Sequence, residues 1–125
     1  MKCSGIWQNI LERNHFFDKS IKDKHMLDLC SGWGRLIFNV ALKGRYKLKS
    51  YTGVDISIQN ALKFYDYQNN LIKSRCDVNV QLFVQNILDF KPTEAKYSLI
   101  TCCWCLGFFE KLQAMQILKM VSMAL

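Results

Sequence analysis

Short apolar runs alternate with longer amphipathic segments along most of this chain. The apolar runs have the length and content of buried strands, and they cover residues 26–30, 50–55, 78–84 and 97–106. Three other segments carry apolar side chains at helical spacing: residues 35–42, 57–74 and 110–125. Strands that alternate with helices predict an α/β fold, in which a mostly parallel sheet has helices on both faces. We therefore expect a Rossmann-like three-layer sandwich.

The first 24 residues differ from this pattern. Residues 6–18 have the apolar spacing of a short amphipathic helix, and the polar stretch Asp18–Lys24 follows as a connection. This predicts an N-terminal helical extension over residues 1–24 and a single domain over residues 25–125.

Composition supports a folded domain. Of the 125 residues, 50% are hydrophobic and 22% are charged, which is typical of globular proteins. No apolar run approaches the roughly 18 residues of a membrane-spanning helix, and the first residues lack the apolar stretch of a secretory signal. We expect no membrane association and an intracellular location, cytoplasmic or nuclear.

The net charge of +7 is concentrated near the N-terminus. Residues 1–50 hold ten Lys and Arg against four Asp and Glu, whereas residues 51–125 hold seven against six. A basic half can attract nucleic acid, but these charges lie mostly singly among hydrophobic residues and lack the interleaved aromatic pattern of RNA-binding modules. A nucleic-acid partner is therefore not expected.

The six cysteines do not predict a metal centre. They lie at positions 3, 30, 76, 102, 103 and 105, and no Cys or His pairs have zinc-ligand spacing. Because the secretory context of a disulfide framework is missing, we expect them to be small buried apolar residues.

A glycine-rich turn follows the first predicted strand. Gly32 and Gly34 let the backbone turn sharply and approach a ligand closely, and Asp55 ends the second predicted strand 21 residues after Gly34. An acid there is well placed to accept hydrogen bonds from both hydroxyls of a ribose. The third glycine of the dinucleotide-binding fingerprint is replaced by Ile37, so the pattern predicts a nucleoside cofactor of another kind.

Together with Asp28, four residues before Gly32, this loop resembles motif I of the class I S-adenosylmethionine-dependent methyltransferases. The resemblance covers residues 25–125 and implies S-adenosylmethionine as cofactor, with methyl transfer to a protein or another acceptor. It also implies strand order 3-2-1-4, which is incomplete relative to the family's seven-stranded fold.

The resemblance assigns cofactor-binding roles residue by residue. Asp28 lies near the cofactor's ammonium group, Asp55 binds the ribose hydroxyls and Asn86 meets the adenine amino group. The full set of predicted cofactor-binding residues is Asp28, Cys30, Ser31, Gly32, Gly34, Arg35, Asp55, Ile56, Asn86, Ile87 and Cys103. Two positions depart from the family pattern, because Cys30 replaces the first loop glycine and Ser98 replaces the fourth-strand acid.

Within the family, three stretches are similar to the alpha-N-terminal protein methyltransferases: residues 27–35, 89–97 and 104–107. This branch implies that Arg35 clamps the cofactor carboxylate, that Trp104 shapes the substrate channel and that the acceptor is a protein N-terminus. The branch's histidine, implicated in deprotonating the amine, is Phe108 here, so no catalytic residue is assigned.

Two functions remain open from the sequence. One is a methyltransferase; the other is a non-catalytic cofactor-binding module that works through a partner chain. The second is favoured by the apolar fourth strand, whose outer edge invites a partner chain or a second copy if further strands do not cover it.

Overall fold

The computed structural model of this protein describes residues 24–34, 36–37, 48–67, 78–92, 97–102, 107 and 109–125. The elements in chain order are β1 (Lys24–Leu29), β2 (Leu48–Asp55), α1 (Ile58–Tyr67), β3 (Asn79–Val84), β4 (Leu99–Cys102) and α2 (Lys111–Ala124). The predicted N-terminal helix and all of the predicted extension except Lys24 lie outside the described residues, so that domain boundary stays a prediction.

The four strands form one parallel sheet in the order β3-β2-β1-β4, which confirms the predicted topology. At the centre of the sheet, Asp28 of β1 lies opposite Gly53 of β2 and Thr101 of β4. Because all the strands are parallel, their carboxyl ends lie at one edge of the sheet.

Each face of the sheet has its own apolar core. Met26 and Tyr51 pack on one face with Phe64 of α1 and with the helical residues Leu36 and Ile37. On the other face, a second cluster packs against α2 and contains Leu27, Leu29, Val54 and Ile117. Successive strand residues point to opposite faces, so β1 supplies both cores, as expected of a strand covered on both sides. The three-layer architecture is thus confirmed.

The start of α1 agrees with the prediction from local sequence, whereas the start of β4 does not. Ser57 caps α1 as predicted, since its Oγ accepts a hydrogen bond from the Asn60 N–H at 3.3 Å. In contrast, β4 starts at Leu99, two residues later than expected, because the Tyr97 N–H donates to the Ala124 carbonyl at 3.2 Å. Tyr97 is therefore tied to the end of α2 and lies before the strand pairing begins.

None of the helices among the described residues has the length and apolar character needed to cross a bilayer.

Gly53 lies where two neighbouring side chains leave no room for a Cβ atom. A Cβ atom at this position would lie 2.9 Å from both the Ser31 Oγ and the Leu82 Cδ2, closer than real Cβ contacts allow. The glycine in β2 thus makes room for the loop that follows β1.

We expect Gly53→Ala to destabilise the protein by about 1–3 kcal/mol, because the added methyl group forces Ser31 and Leu82 apart. Gly107→Ala is the matched control, since a Cβ there meets nothing within 4 Å, and it should change stability by less than about 0.5 kcal/mol. Chemical denaturation of both variants checks this; equal stability of the two would contradict the assigned contact.

Candidate functional site

The loop after β1 has an alternating left-handed backbone. Cys30, Gly32 and Gly34 have φ angles of 58°, 59° and 95°. The Gly34 N–H donates to the Ser31 carbonyl at 3.1 Å and closes the turn. Glycine adopts these angles without strain, whereas a side chain at position 30 is strained by the same geometry. The sharp turn predicted from Gly32 and Gly34 is therefore confirmed, and Cys30 takes the conformation that a glycine would favour.

Two hydrogen bonds hold this loop against the end of β2. The Ser31 N–H donates to the Val54 carbonyl at 3.1 Å, and the Gly32 N–H donates to the Asp55 Oδ2 at 2.9 Å. The loop and the acid that the sequence selected independently are therefore in direct contact.

The second carboxylate oxygen of Asp55 organises the start of α1. Its Oδ1 accepts a hydrogen bond from the Ser57 N–H at 2.9 Å and a longer one from the Asn60 Nδ2 at 3.4 Å. The Asp55 carbonyl also accepts from the Gln85 N–H at 3.0 Å, which joins the tips of β2 and β3. Asp55 thus connects three segments at the carboxyl edge of the sheet.

Asp28 is buried behind the loop, with 2% of its surface exposed. The Tyr51 hydroxyl donates to its Oδ2 at 2.6 Å, and the Thr101 hydroxyl donates to its Oδ1 at 2.9 Å. Each side-chain oxygen of Asp28 therefore has a partner on a strand next to β1, one on β2 and one on β4.

Burial raises the pKa of Asp28 from 3.8 to about 6, and the hydrogen bonds from Tyr51 and Thr101 oppose that shift. The charge of Asp55 raises it slightly further. Desolvation is the largest effect, so the site holds a carboxyl group that titrates near neutral pH. Such groups are frequent at binding sites, although structural networks also produce them.

The space around the loop tip is open. A Cβ atom built at Gly32 meets nothing within 4 Å, and Ile56, directly after Asp55, is 70% exposed. The backbone at Gly32 and the side chain of Ile56 are therefore accessible to a ligand at this edge.

Asn86 and Ile87 lie in the turn after β3. The Asn86 Oδ1 accepts a hydrogen bond from the Leu88 N–H at 3.0 Å, which closes an Asx-type turn. Ile87 is only 4% exposed and packs in the core beside α2. The structure thus gives both side chains a local structural role, and their contact with a cofactor stays a prediction.

Three predicted site residues, Arg35, Cys103 and Trp104, lie outside the described residues, as does Phe108. The carboxylate clamp and the substrate channel wall therefore stay predictions.

Sequence reasoning missed the two hydroxyl partners of Asp28 and the aromatic partner of the loop. The sequence pattern places Tyr51 and Thr101 in strands without giving them a role, and it gives none to Trp33 between the two glycines. In the structure, the Trp33 ring stacks on Tyr67 of α1 with a centroid distance of 5.1 Å, and the Lys63 Nζ lies 5.5 Å from the Trp33 ring centroid. Strand alternation was the available signal for Tyr51. Residues two apart in a strand share a face of the sheet, so Tyr51 lies on the same face as Gly53, the partner of Asp28.

The described residues contain no cluster of His, Cys, Asp or Glu that could hold a metal ion. Cys30 is a free, half-buried thiol, and desolvation, assisted by the charges of Asp55 and Asp28, raises its pKa to about 12. Cys102 is disulfide-bonded, so the expectation of small apolar cysteines is wrong there.

A family model described as a methyltransferase domain matches residues 26–125. An S-adenosylmethionine-dependent methyltransferase from Clostridium acetobutylicum ATCC 824 superimposes with a TM-score of 0.71 at 21% identity, covering 93% of this chain and 44% of that one. The PH0226 protein from Pyrococcus horikoshii OT3 gives 0.70 at 21% identity, with 95% and 53% covered.

Magnesium protoporphyrin IX methyltransferase from Synechocystis PCC 6803, solved with bound SAM, gives a TM-score of 0.69 at 15% identity. It covers 97% of this chain and 52% of its own. This chain thus spans about half the length of the three similar structures. No curated protein matches it in sequence.

We predict that Asp28 makes stability fall as pH rises. Its folded-state pKa of about 6 lies above the unfolded value near 3.8, so the folded state binds the proton more tightly. That contribution is complete below about pH 4 and is lost as pH rises through about 6, a difference of about 3 kcal/mol. Asp28→Asn should remove this slope from the pH dependence of chemical denaturation. An unchanged difference between pH 4 and pH 7 would contradict the assignment.

The left-handed backbone of Cys30 gives a second prediction. Cys30→Gly should be more stable than Cys30→Ala by about 1 kcal/mol, because only glycine adopts a φ of 58° without strain. Both variants lose the thiol, so thermal unfolding of the pair isolates the backbone effect. A more stable alanine variant would show that the loop relaxes around a side chain.

Proposed function

We propose that this chain, which belongs to the methyltransferase domain family, binds S-adenosylmethionine at the carboxyl edge of its sheet and supports methyl transfer to an acceptor. One observation carries the proposal. Gly32 has a left-handed backbone, nothing lies within 4 Å of the position of its absent Cβ, and its N–H donates a hydrogen bond to Asp55. The loop backbone and Asp55, the acid proposed to bind the ribose, thus lie side by side at the accessible edge of the sheet.

The polar groups at this edge fit a nucleoside that carries an amino acid. Carboxylate oxygens of Asp55 suit ribose hydroxyls, and the open backbone at Gly32 admits close approach of a ligand. Asp28, Arg35 and Asn86 are proposed for the ammonium, carboxylate and adenine groups respectively. Bound S-adenosylmethionine supplies a sulfonium-activated methyl group, and the residues at this edge would orient it toward the acceptor.

Asp55 has limited capacity for ribose. A carboxylate offers about four acceptor sites, and three are engaged by Gly32, Ser57 and Asn60. The bond from Asn60 is the longest at 3.4 Å. We expect ribose hydroxyls to take the remaining site and to displace the Asn60 amide.

The acceptor belongs to the proposal as well. The similar structures include a phosphoethanolamine N-methyltransferase from Haemonchus contortus and the plantazolicin methyltransferase BpumL, whose names imply different acceptors. The fold therefore does not select the acceptor. Similarity of three stretches to the alpha-N-terminal protein methyltransferases supports a protein N-terminus, which transfer of labelled methyl groups to peptides with free or acetylated N-termini tests directly.

The second candidate function is a non-catalytic cofactor-binding or interaction module that works through a partner chain. The position of β4 favours it: this strand pairs only with β1 within the described sheet and forms its edge. An open strand edge can pair with another chain. Size-exclusion chromatography with light scattering distinguishes the two, because a monomer that binds the cofactor would contradict the partner-dependent module.

We predict that this chain binds S-adenosylmethionine and S-adenosylhomocysteine in isothermal titration calorimetry. Asp55→Ala should weaken binding by about 1–3 kcal/mol, since the ribose hydroxyls lose their acceptor. The control is Asn60→Ala, which removes a competing donor from the same oxygen and should bind at least as tightly as the wild type. Folded wild-type protein that gives no heat at millimolar ligand would refute the proposed function.

A further inference from the structure

Trp33 joins the glycine loop to α1. It lies between Gly32 and Gly34, and its ring stacks on Tyr67 with a centroid distance of 5.1 Å and an angle of 28° between the ring planes. Tyr67 is the last residue of α1. The Trp33 ring is partly buried and packs against the apolar core on this face of the sheet. The loop therefore contacts the end of α1 as well as β2.

Lys63 adds a positive charge to the same contact. Its Nζ lies 5.5 Å from the centroid of the Trp33 ring, which is within the range of a cation–π interaction. Lys63 precedes Tyr67 by four residues, so the two side chains lie on one face of α1. Aromatic stacking adds to the stabilisation that burial alone provides, and an ammonium group over the ring adds further attraction. Two residues of the helix thus hold Trp33.

The two glycines beside Trp33 make this contact important for the loop. Gly32 and Gly34 have φ angles of 59° and 95°, and glycine loses more conformational freedom on folding than any other residue. A side chain that is held between two glycines limits the conformations that both of them can adopt. The residue directly before Trp33 is Gly32, whose N–H donates to Asp55 at 2.9 Å. The placement of this N–H therefore depends on where Trp33 is held.

The loop and α1 are connected at both ends of the helix. Before the start of α1, the Asp55 carboxylate accepts hydrogen bonds from the Gly32 N–H and from the Ser57 N–H, each at 2.9 Å. At the other end of α1, Trp33 stacks on Tyr67. A single contact would let the loop rotate about it, whereas two contacts at opposite ends of one helix prevent that rotation. The stacked pair thus completes the fixation that Asp55 begins.

We propose that Trp33 is a positioning residue for the cofactor site, which holds the glycine loop against α1 and keeps the Gly32 backbone in place before a ligand binds. This inference rests on the proposed function for its ligand, but the contacts that carry it concern only residues of this chain. Tyr67→Leu removes the stacking partner and leaves the loop sequence unchanged. Tyr65→Leu is the matched control, because it makes the same chemical change on the same helix, at a side chain that is 49% exposed and lies on another side of α1.

Amide hydrogen exchange tests the hold on the loop without a ligand. In Trp33→Leu and in Tyr67→Leu, the amides of both loop glycines should exchange about tenfold faster relative to the core amide of Leu27. General destabilisation speeds exchange of the core amide as well, so it does not produce this change in the ratio. Trp33→Phe, which keeps a ring for stacking, should restore most of the protection. A ratio in Tyr67→Leu equal to that in Tyr65→Leu would overturn the positioning role.

Calorimetric binding of S-adenosylhomocysteine completes the test. Trp33→Leu and Tyr67→Leu should each bind about tenfold more weakly than the wild type, because the loop is no longer held in place before binding, whereas Trp33→Phe and Tyr65→Leu should bind within about twofold. Weaker binding by Trp33→Leu together with unchanged binding by Tyr67→Leu would overturn the proposal, since the indole would then act on the ligand directly. If the wild type itself does not bind, the proposed function fails, while the exchange ratio still decides the role of Trp33 in the loop.

Discussion

The close contact between the glycine loop and the end of β2 is the constraint on which the candidate site depends. Ser31 reaches β2 only because Gly53 has no side chain, and two backbone N–H groups of the loop then find acceptors on Val54 and Asp55. A larger residue at position 53 would separate the two segments. The loop conformation, the orientation of Asp55 and the start of α1 all follow from this one approach.

This contact brings together features that are unfavourable in isolation. A non-glycine residue adopts a left-handed conformation at Cys30, and a carboxyl group with a pKa of about 6 is buried at Asp28. Each costs on the order of 1–3 kcal/mol. Unfavourable local features of this kind are typical of places where binding needs a particular geometry. Here Cys30 lies two residues before Gly32, and Asp28 is buried under the same loop. Their position supports the assignment of this edge as the functional one.

The sequence was sufficient for the parts of the fold that repeat a simple pattern. Apolar runs with strand length, and glycines after the first of them, predicted the parallel α/β sheet and the loop, whereas the full strand order came from the resemblance to the methyltransferase family. The contact between Asp55 and Gly32 was not predictable, because the expected partner of that acid was a ribose. Asn86 was likewise assigned to adenine, whereas its oxygen closes the turn on Leu88. In both cases a local backbone N–H competes for an acceptor that the motif assigns to a ligand.

Tyr51 shows why side-chain contacts between strands could not be predicted from the sequence pattern. Its place in an apolar strand explains its burial, but a buried phenol must also satisfy its hydroxyl. The partner is set by register: Tyr51 and Asp28 lie on the same face, and the phenol extends along the strand by about the distance of two residues. Neither residue predicts the other from the sequence alone, because the register is fixed only when the two strands pair.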